Sequence, residues 1–414
     1  MAENGQNRLR SLMKPKVALV RGKFLNQYEM QVYEPLVDRY NLTAFGSMYP
    51  FHEKFAFPVV KLWSPMDLSS GTRSGFARRI TLSILNRLCM DAHYLLGLEK
   101  LLDGFDIAHS AETYYHYTTQ CLNTKRDGRV RAVVTTVLET IPFNNEGIWG
   151  RKSMKARARK EVDHFIAISN RAKDALIKEG TDPNKITVIP YGIDTKRFIH
   201  HHVDNDKTML HILFVGRLEV EKGVLDVLEA FIQVSYQEKA FGKRLHLTIV
   251  GTGSLKAALI ARIKMAGVSD KVTLKTSSYN DMPKVYQKAD IFVAPSKPHF
   301  PRLWRGSRGK SKKIWEEQYN IALLEAQSSG LAIITTHCGA IPENVSDCAI
   351  LIDPDDTQAL VNALTQLITN PKLRLSLGIS ARHRAETVHD ISLVSQKIDN
   401  LYKEVLFSVK AKTK

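Results

Sequence analysis

The chain has 414 residues, 44% of them apolar and 24% charged, which is ordinary for a folded protein and excludes the disordered, collagen-like and low-complexity classes. No run nears the roughly 18 to 20 uncharged apolar residues needed to cross a bilayer, the richest being short ones such as Ile212 to Val215 and Ile291 to Ala294. The formal net charge of +17 favours an anionic partner, be it nucleic acid, anionic lipid or a phosphorylated substrate, without choosing among them.

The first stretch, Met1 to Lys16, is polar and basic and has no apolar h-region, so it does not read as a secretory signal and a cytoplasmic location is expected. Short β-branched or apolar runs then alternate with longer amphipathic ones, the pattern of strands and helices in a parallel α/β sheet. The first half predicts strands at Lys16 to Val20, Leu42 to Phe45, Asp106 to His109, Ala132 to Val137, His164 to Ile168 and Ile186 to Pro190. From Ile199 through His200, His201, His202 to Lys207 the chain is polar and without period, which reads as a linker. The pattern restarts with strands expected at His211 to Val215, Leu245 to Val250, Lys271 to Lys275, Asp290 to Ala294, Ala332 to Thr335 and Ala349 to Ile352, and a last helix from about Ile391 to Val409. The expected domains are 1–198, a linker 199–208, 209–388, and a C-terminal helix 389–414 packing back on the first domain. Two doubly wound, Rossmann-like halves facing a central cleft direct attention to the loops after strands, because such sheets bind ligands beyond the carboxyl ends of their strands. Cys89, Cys121, Cys338 and Cys348 show no disulfide framework and no C-x-x-C pair, so they read as buried thiols.

Four segments are candidates for chemistry. In Phe214 to Gly223 a strand ends at Gly216, Arg217 follows, and Lys222 comes five residues later. Helix starts already favour anions, and two cations there make a diphosphate clamp or, alternatively, a solvated basic turn. In Glu317 to Glu325 two carboxylates eight residues apart are offset by roughly 80° on a continuous helix. They do not share one face, so a loop carrying Glu317 followed by a helix carrying Glu325 fits better; two surface glutamates is the plainer alternative. The segment Val188 to Asp194 spans the end of a predicted strand, and Cys338 to Glu343 follows one.

In this order and spacing the segments resemble the retaining nucleotide-sugar glycosyltransferases of the GT-B fold, specifically glycosyltransferase family 4, from about Lys16 to the C-terminal helix and most strongly from Asp163 to Asp353. The resemblance implies that Arg217 and Lys222 neutralise the donor diphosphate, that Glu325 binds the ribose hydroxyls and that Glu317 contacts the transferred sugar. It places Gly216, Tyr319, Asn320 and Ile321 on the donor and lets Gly22 admit the donor phosphates closely. His109 and Glu139 become acceptor-side candidates. It implies no metal and no cofactor, with the leaving phosphate assisting deprotonation of the acceptor. The sequence departs from the family pattern at Asn320, where many members have Gly, at Asn26 and Gln27 in place of paired glycines, and at Leu138, where many carry His.

Lys297 to Lys313 holds seven cations and no acid, beside Trp304 and Trp315, immediately before Glu317. It reads either as a cover over a phosphorylated ligand or headgroup or as a solvated insertion. A second basic cluster, Arg151 to Lys160, and a third, with Arg73, Arg78, Arg79 and Arg87, lie in the first half and suggest peripheral contact with an anionic membrane. His200 to His202, Asp353–Pro354–Asp355 and Asp204–Asn205–Asp206 mimic metal motifs but read as linker or turn. The expected partners are a nucleotide-sugar donor and a glycan or lipid-linked acceptor, in polysaccharide, lipopolysaccharide or glycolipid synthesis. The alternatives are a small sugar or sugar phosphate acceptor, or a catalytically silent glycan-binding relative. A nucleic-acid binder is the rival from another class, and no nucleic-acid module supports it.

Overall fold

The computed structural model describes residues 14–68, 91–199, 208–300 and 313–412. These fall into two compact units, one of residues 1–192 with 391–414 and one of 193–390. The basic stretch with Arg73, Arg78, Arg79 and Arg87, the linker's histidines and Asp204 to Asp206, Cys89, and Arg302 to Lys312 with Trp304 lie outside the described residues.

The first unit is built on a seven-stranded sheet in the order β3-β2-β1-β4-β5-β6-β7. Its strands are β1 (Lys16–Gly22), β2 (Asn41–Ser47), β3 (Val59–Leu62), β4 (Ile107–Ala111), β5 (Ala132–Val137), β6 (His164–Ala167) and β7 (Ile186–Val188). All pairings are parallel. Val17 to Val20 are wholly buried, as a near-continuous apolar strand covered on both faces must be. The longer helices are α1 (His116–Arg126), α2 (Arg151–Glu161) and α3 (Asn170–Lys178), the last capped by Ser169, whose hydroxyl accepts from Ala172 N–H.

The second unit carries a six-stranded parallel sheet in the order β10-β9-β8-β11-β12-β13. Its strands are β8 (Met209–Val215), β9 (Arg244–Val250), β10 (Val272–Lys275), β11 (Ile291–Ala294), β12 (Ala332–Thr336) and β13 (Ala349–Ile352). Helices α4 (Val224–Ser235), α5 (Lys256–Met265), α6 (Ile321–Ser328), α7 (Thr357–Thr369) and α8 (Pro371–Arg384) cover it. Taken within each unit, both orders reverse after the first strand, the Rossmann arrangement with its switch point between the first and fourth strands.

The final helix α9 (Ile391–Lys412) belongs to the first unit. Val394, Ile398, Leu401, Tyr402 and Val405 join a core with Val17, Leu19, Tyr33 and Leu36. Asp399, fully buried at its side chain, accepts from Tyr40 Oη at 2.9 Å and pairs with Arg39. The chain enters and leaves the second unit side by side, Ile193 N–H donating to His389 O at 2.7 Å.

Each of the twelve expected strands overlaps an observed one, and Ala132–Val137 and Ala349–Ile352 coincide with it. β3 is the strand the sequence reading lacks. It is four residues long, half-exposed and at the sheet edge, so it carries neither a buried run nor a clean alternation. Cys121, Cys338 and Cys348 are free and buried.

Candidate active site

In the second unit the loops after β8 and β11 meet at the switch point. β8 ends at Val215, and the loop runs through Gly216 and Arg217 to a single turn at Val220–Lys222. Gly223 follows with φ +69°, and a Cβ there would stand 2.2 Å from Pro295 O. Only glycine allows that approach. Lys297 N–H donates to Glu221 O at 2.9 Å and closes the same pair of loops.

The two cations differ in setting. Arg217 is 57% exposed at its side chain and reaches Glu221 at 3.0 Å, a surface pair that adds little stability and leaves the guanidinium free to exchange partners. Lys222 is nearly buried, 2.5 Å from Glu317 Oε2, and lies 5.0 Å from the Trp315 ring centre. Glu317 Oε2 also accepts from Ser296 Oγ at 2.8 Å. Ser296 lies two residues beyond the end of β11, and its carbonyl accepts from the Thr336 hydroxyl of β12. Two adjacent strands thus fix a serine that fixes a glutamate.

Glu317 sits in the loop before α6 and Glu325 within it, the division expected from their 80° offset. Asn320 caps the helix at φ +52°, ψ +88°, a left-handed conformation that Asn enters more easily than most residues. Asn344 Nδ2 donates to the carbonyls of Tyr319 and Asn320 and its Oδ1 accepts from Gln327 at 2.7 Å, which ties the cap to α6. Tyr319 is buried and edge-on to the His389 ring. Ile321 opens the helix, whose first N–H groups lack intrahelical partners. Glu325 is 3% exposed, and its Oε1 has no hydrogen-bond partner among the described residues. Burial pushes its carboxyl up to about 7, against the opposing Tyr286 hydroxyl and Arg197.

The remaining candidates lie in the first unit. Gly22 has φ +54° at the end of β1, and a Cβ there would press on the Tyr117 ring at 3.3 Å. His109 is fully buried on β4, its Nδ1 2.6 Å from Tyr402 Oη and its Nε2 2.8 Å from Thr136 Oγ1. Burial and the nearby Arg21 guanidinium hold it well below the usual histidine range, so it is a neutral packing residue that joins α9 to the sheet. Glu139 is also buried, accepting from Ile141 N–H, Asn144 Nδ2 and Asn145 Nδ2, with its carboxyl raised by burial. A residue to which the sequence reading gave no role stands beside it. Glu112 has φ +59°, accepts from Leu138 N–H at 2.9 Å, and leaves Oε2 without a partner among the described residues. Burial, with Glu139 next to it, pushes its carboxyl up to about 8. Its signal in the sequence is its place just beyond the end of β4.

The Arg151 to Lys160 cluster is not the free basic face that membrane contact needs. Arg151 is buried against Asp91 at 2.6 Å, Lys155 against Glu179 at 2.6 Å, and Arg159 reaches Glu179 at 3.2 Å. Arg157 pairs with Glu161 on its own helix. Lys152 and Lys160 are the exposed cations of that run. The turn at Asp353 to Asp356 is likewise engaged, Asp355 with Lys297 at 2.7 Å and Asp356 as the cap of α7.

A sequence profile described as Glycosyl transferases group 1 matches residues 194–384, and one described as Glycosyltransferase Family 4 matches 68–197. The chain belongs to glycosyltransferase family 4. Among curated relatives it is 27% identical over 337 residues to an Escherichia coli UDP-Gal:alpha-D-GlcNAc-diphosphoundecaprenol alpha-1,3-galactosyltransferase, covering 76% of this chain and 80% of that one. It is 25% identical over 269 residues to the MMP alpha-(1->4)-mannosyltransferase of Mycolicibacterium hassiacum, covering 64% of this chain but only 59% of the relative. Among solved structures, HepE of Anabaena in complex with UDP and glucose aligns with a TM-score of 0.69 at 15% identity, over 94% of this chain and all of that one. WaaG, a glycosyltransferase involved in lipopolysaccharide biosynthesis, aligns with a TM-score of 0.62 at 16% identity, over 93% and 99%. The fold is GT-B, as the family resemblance implies.

Proposed function

We propose that this protein transfers a sugar from a nucleotide-sugar donor to a hydroxyl of a glycan or lipid-linked acceptor, with retention of anomeric configuration and without a metal. The observation that carries the reading is the switch point of the second unit. There Ser296 fixes Glu317, which pairs with Lys222, Asn344 fixes the cap at Asn320, and Arg217 stays exposed. Such a set is suited to a diphosphate leaving group: a mobile guanidinium and a positioned ammonium take up the developing charge, and a helix start adds backbone donors. Glu317 is the carboxylate for the transferred sugar, and Glu325, with its unpartnered oxygen, is the acceptor for ribose hydroxyls. The acceptor falls to the first unit, where Glu139 and the neighbouring Glu112 stand at the ends of β5 and β4. A relative named for a diphosphoundecaprenol acceptor, and a structural neighbour of lipopolysaccharide synthesis, support envelope glycan assembly.

The test is thermal stability against UDP-, GDP-, ADP- and dTDP-sugars without metal, for the parent and for Arg217→Ala with Lys222→Ala. A ligand bound by the native state alone raises its melting temperature. One nucleotide should stabilise the parent and not the double variant; no shift with any of them sinks the donor assignment. The anomeric proton coupling of the product then decides retention.

A further inference from the structure

Between β11 and Glu317 this chain carries a stretch whose two feet are fastened. Lys297 sets one foot, its Nζ 2.8 Å from Asp226 and 2.7 Å from Asp355. At the other, Lys313 pairs with buried Glu316. The feet are joined by a bridge in which His299 N–H donates to Trp315 O at 2.8 Å and Ile314 N–H to His299 O at 3.0 Å. Trp315 is therefore held by its backbone in the bridge, next in sequence to the buried Glu316. Its ring lies under Lys222, 5.0 Å from the ammonium nitrogen, which also makes the 2.5 Å contact with Glu317.

A lysine ammonium sits on a flexible four-carbon stem, and fixing it is entropically unfavourable. A carboxylate alone fixes it poorly for an anionic ligand, because the carboxylate competes for the same N–H donors. An indole face attracts the cation without taking a hydrogen bond. It thus holds the ammonium while leaving its donors available.

We propose that Trp315 is a positioning residue for the donor diphosphate, acting through Lys222; the inference rests on the donor site assigned above. It makes the stem of the basic stretch part of nucleotide recognition. The experiment measures, by calorimetry, dissociation constants of UDP, GDP, ADP and dTDP, and of the nucleoside matching whichever diphosphate binds. The proteins are the parent, Trp315→Leu, Trp315→Phe, Lys222→Met and the Trp315→Leu/Lys222→Met pair. Trp315→Leu should weaken the diphosphate about three- to tenfold and leave the nucleoside unchanged, while Trp315→Phe, which keeps a ring face, should stay within about twofold of the parent. In the Lys222→Met background Trp315→Leu should add no further loss. An equal loss for nucleoside and diphosphate, or a loss that persists without the lysine, overturns the inference and makes Trp315 a packing residue. Diphosphate binding by the parent that Trp315→Leu leaves intact overturns it alone, whereas no diphosphate binding by the parent overturns the donor site and this inference with it.

Discussion

Gly339 and Glu317 approach each other backbone to backbone: a Cβ on Gly339 would lie 2.0 Å from the Glu317 carbonyl oxygen, and Ala340 N–H donates to that same oxygen at 2.9 Å. The turn after β12 thus sets the height of the Glu317 loop. Gly339→Ala meets two penalties, a left-handed φ of +60° and a backbone collision with no flexible side chain to yield. Gly267, at φ +64° with nothing within 4 Å of its would-be Cβ, meets the first alone. Urea unfolding should show Gly267→Ala about 1 kcal/mol less stable than the parent and Gly339→Ala less stable by about 3 kcal/mol or more. Equal losses for the two would mean that the Glu317 loop moves aside freely.

Lys222 and Glu317 form a nearly buried pair, with the Ser296 hydroxyl on the shared oxygen. Removing one charge strands the other, so Lys222→Met should both destabilise the fold and weaken diphosphate binding, by about tenfold or more. Glu317→Gln keeps the shape and one acceptor oxygen. It should leave diphosphate binding within a few-fold of the parent while lowering kcat by about a hundredfold or more, since the charge proposed above to serve the reacting sugar is lost. Steady-state kinetics beside nucleotide calorimetry separates the two; a Glu317→Gln enzyme with the parent's kcat removes Glu317 from the reaction.

Glu112 gives stability a pH dependence that can be assigned to one residue. Its carboxyl is pushed up to about 8 by burial and by Glu139, from an ordinary 4.5 in the unfolded chain. The native state therefore holds a proton that the unfolded chain has released across that interval. The stabilisation from the neutral form is complete below about 4.5 and is lost as pH rises through 8. Glu112→Gln, which mimics the neutral acid, should flatten the decline in unfolding free energy between pH 6 and 9 and be the more stable protein at the alkaline end. A variant whose slope matches the parent's would show that Glu112 ionises freely.

The parts of this molecule legible in the sequence are those carried by local pattern. Buried parallel strands such as Val17 to Val20 announce themselves as apolar runs, and Glu317 and Glu325 could be separated into loop and helix by angular offset alone. Asn320 was legible too, because few residue types other than Gly enter a left-handed cap readily. What was not legible is whatever depends on partners distant in sequence. Arg151 and Lys155 look like a basic helix face until Asp91 and Glu179 are seen across from them. His109 looks like a cleft histidine until Tyr402, 293 residues away, closes on it. Ser296 follows a strand like many serines, and only the fold brings Glu317 to its hydroxyl.

Glu325 should make donor binding depend on pH in the opposite sense to stability. Its carboxyl, pushed up to about 7 by burial, is neutral in the native state at mildly acidic pH, and its stabilising contribution fades as pH rises through 7. The role assigned to it needs the carboxylate, the form that accepts from two ribose hydroxyls. A sugar nucleotide should therefore bind more tightly as pH rises from 6 to 8, the affinity falling toward about tenfold per pH unit below 7 in the limit where only the ionised form binds. Bound ribose, filling the place of the missing partner at Oε1, should in turn lower the carboxyl's pKa, so binding near pH 6.5 should release a proton. Calorimetry in two buffers of different ionisation enthalpy reads that proton directly. Glu325→Gln should bind more weakly, with a flat pH profile and no proton release; a parent profile that is flat from pH 6 to 8 would take Glu325 out of nucleotide recognition.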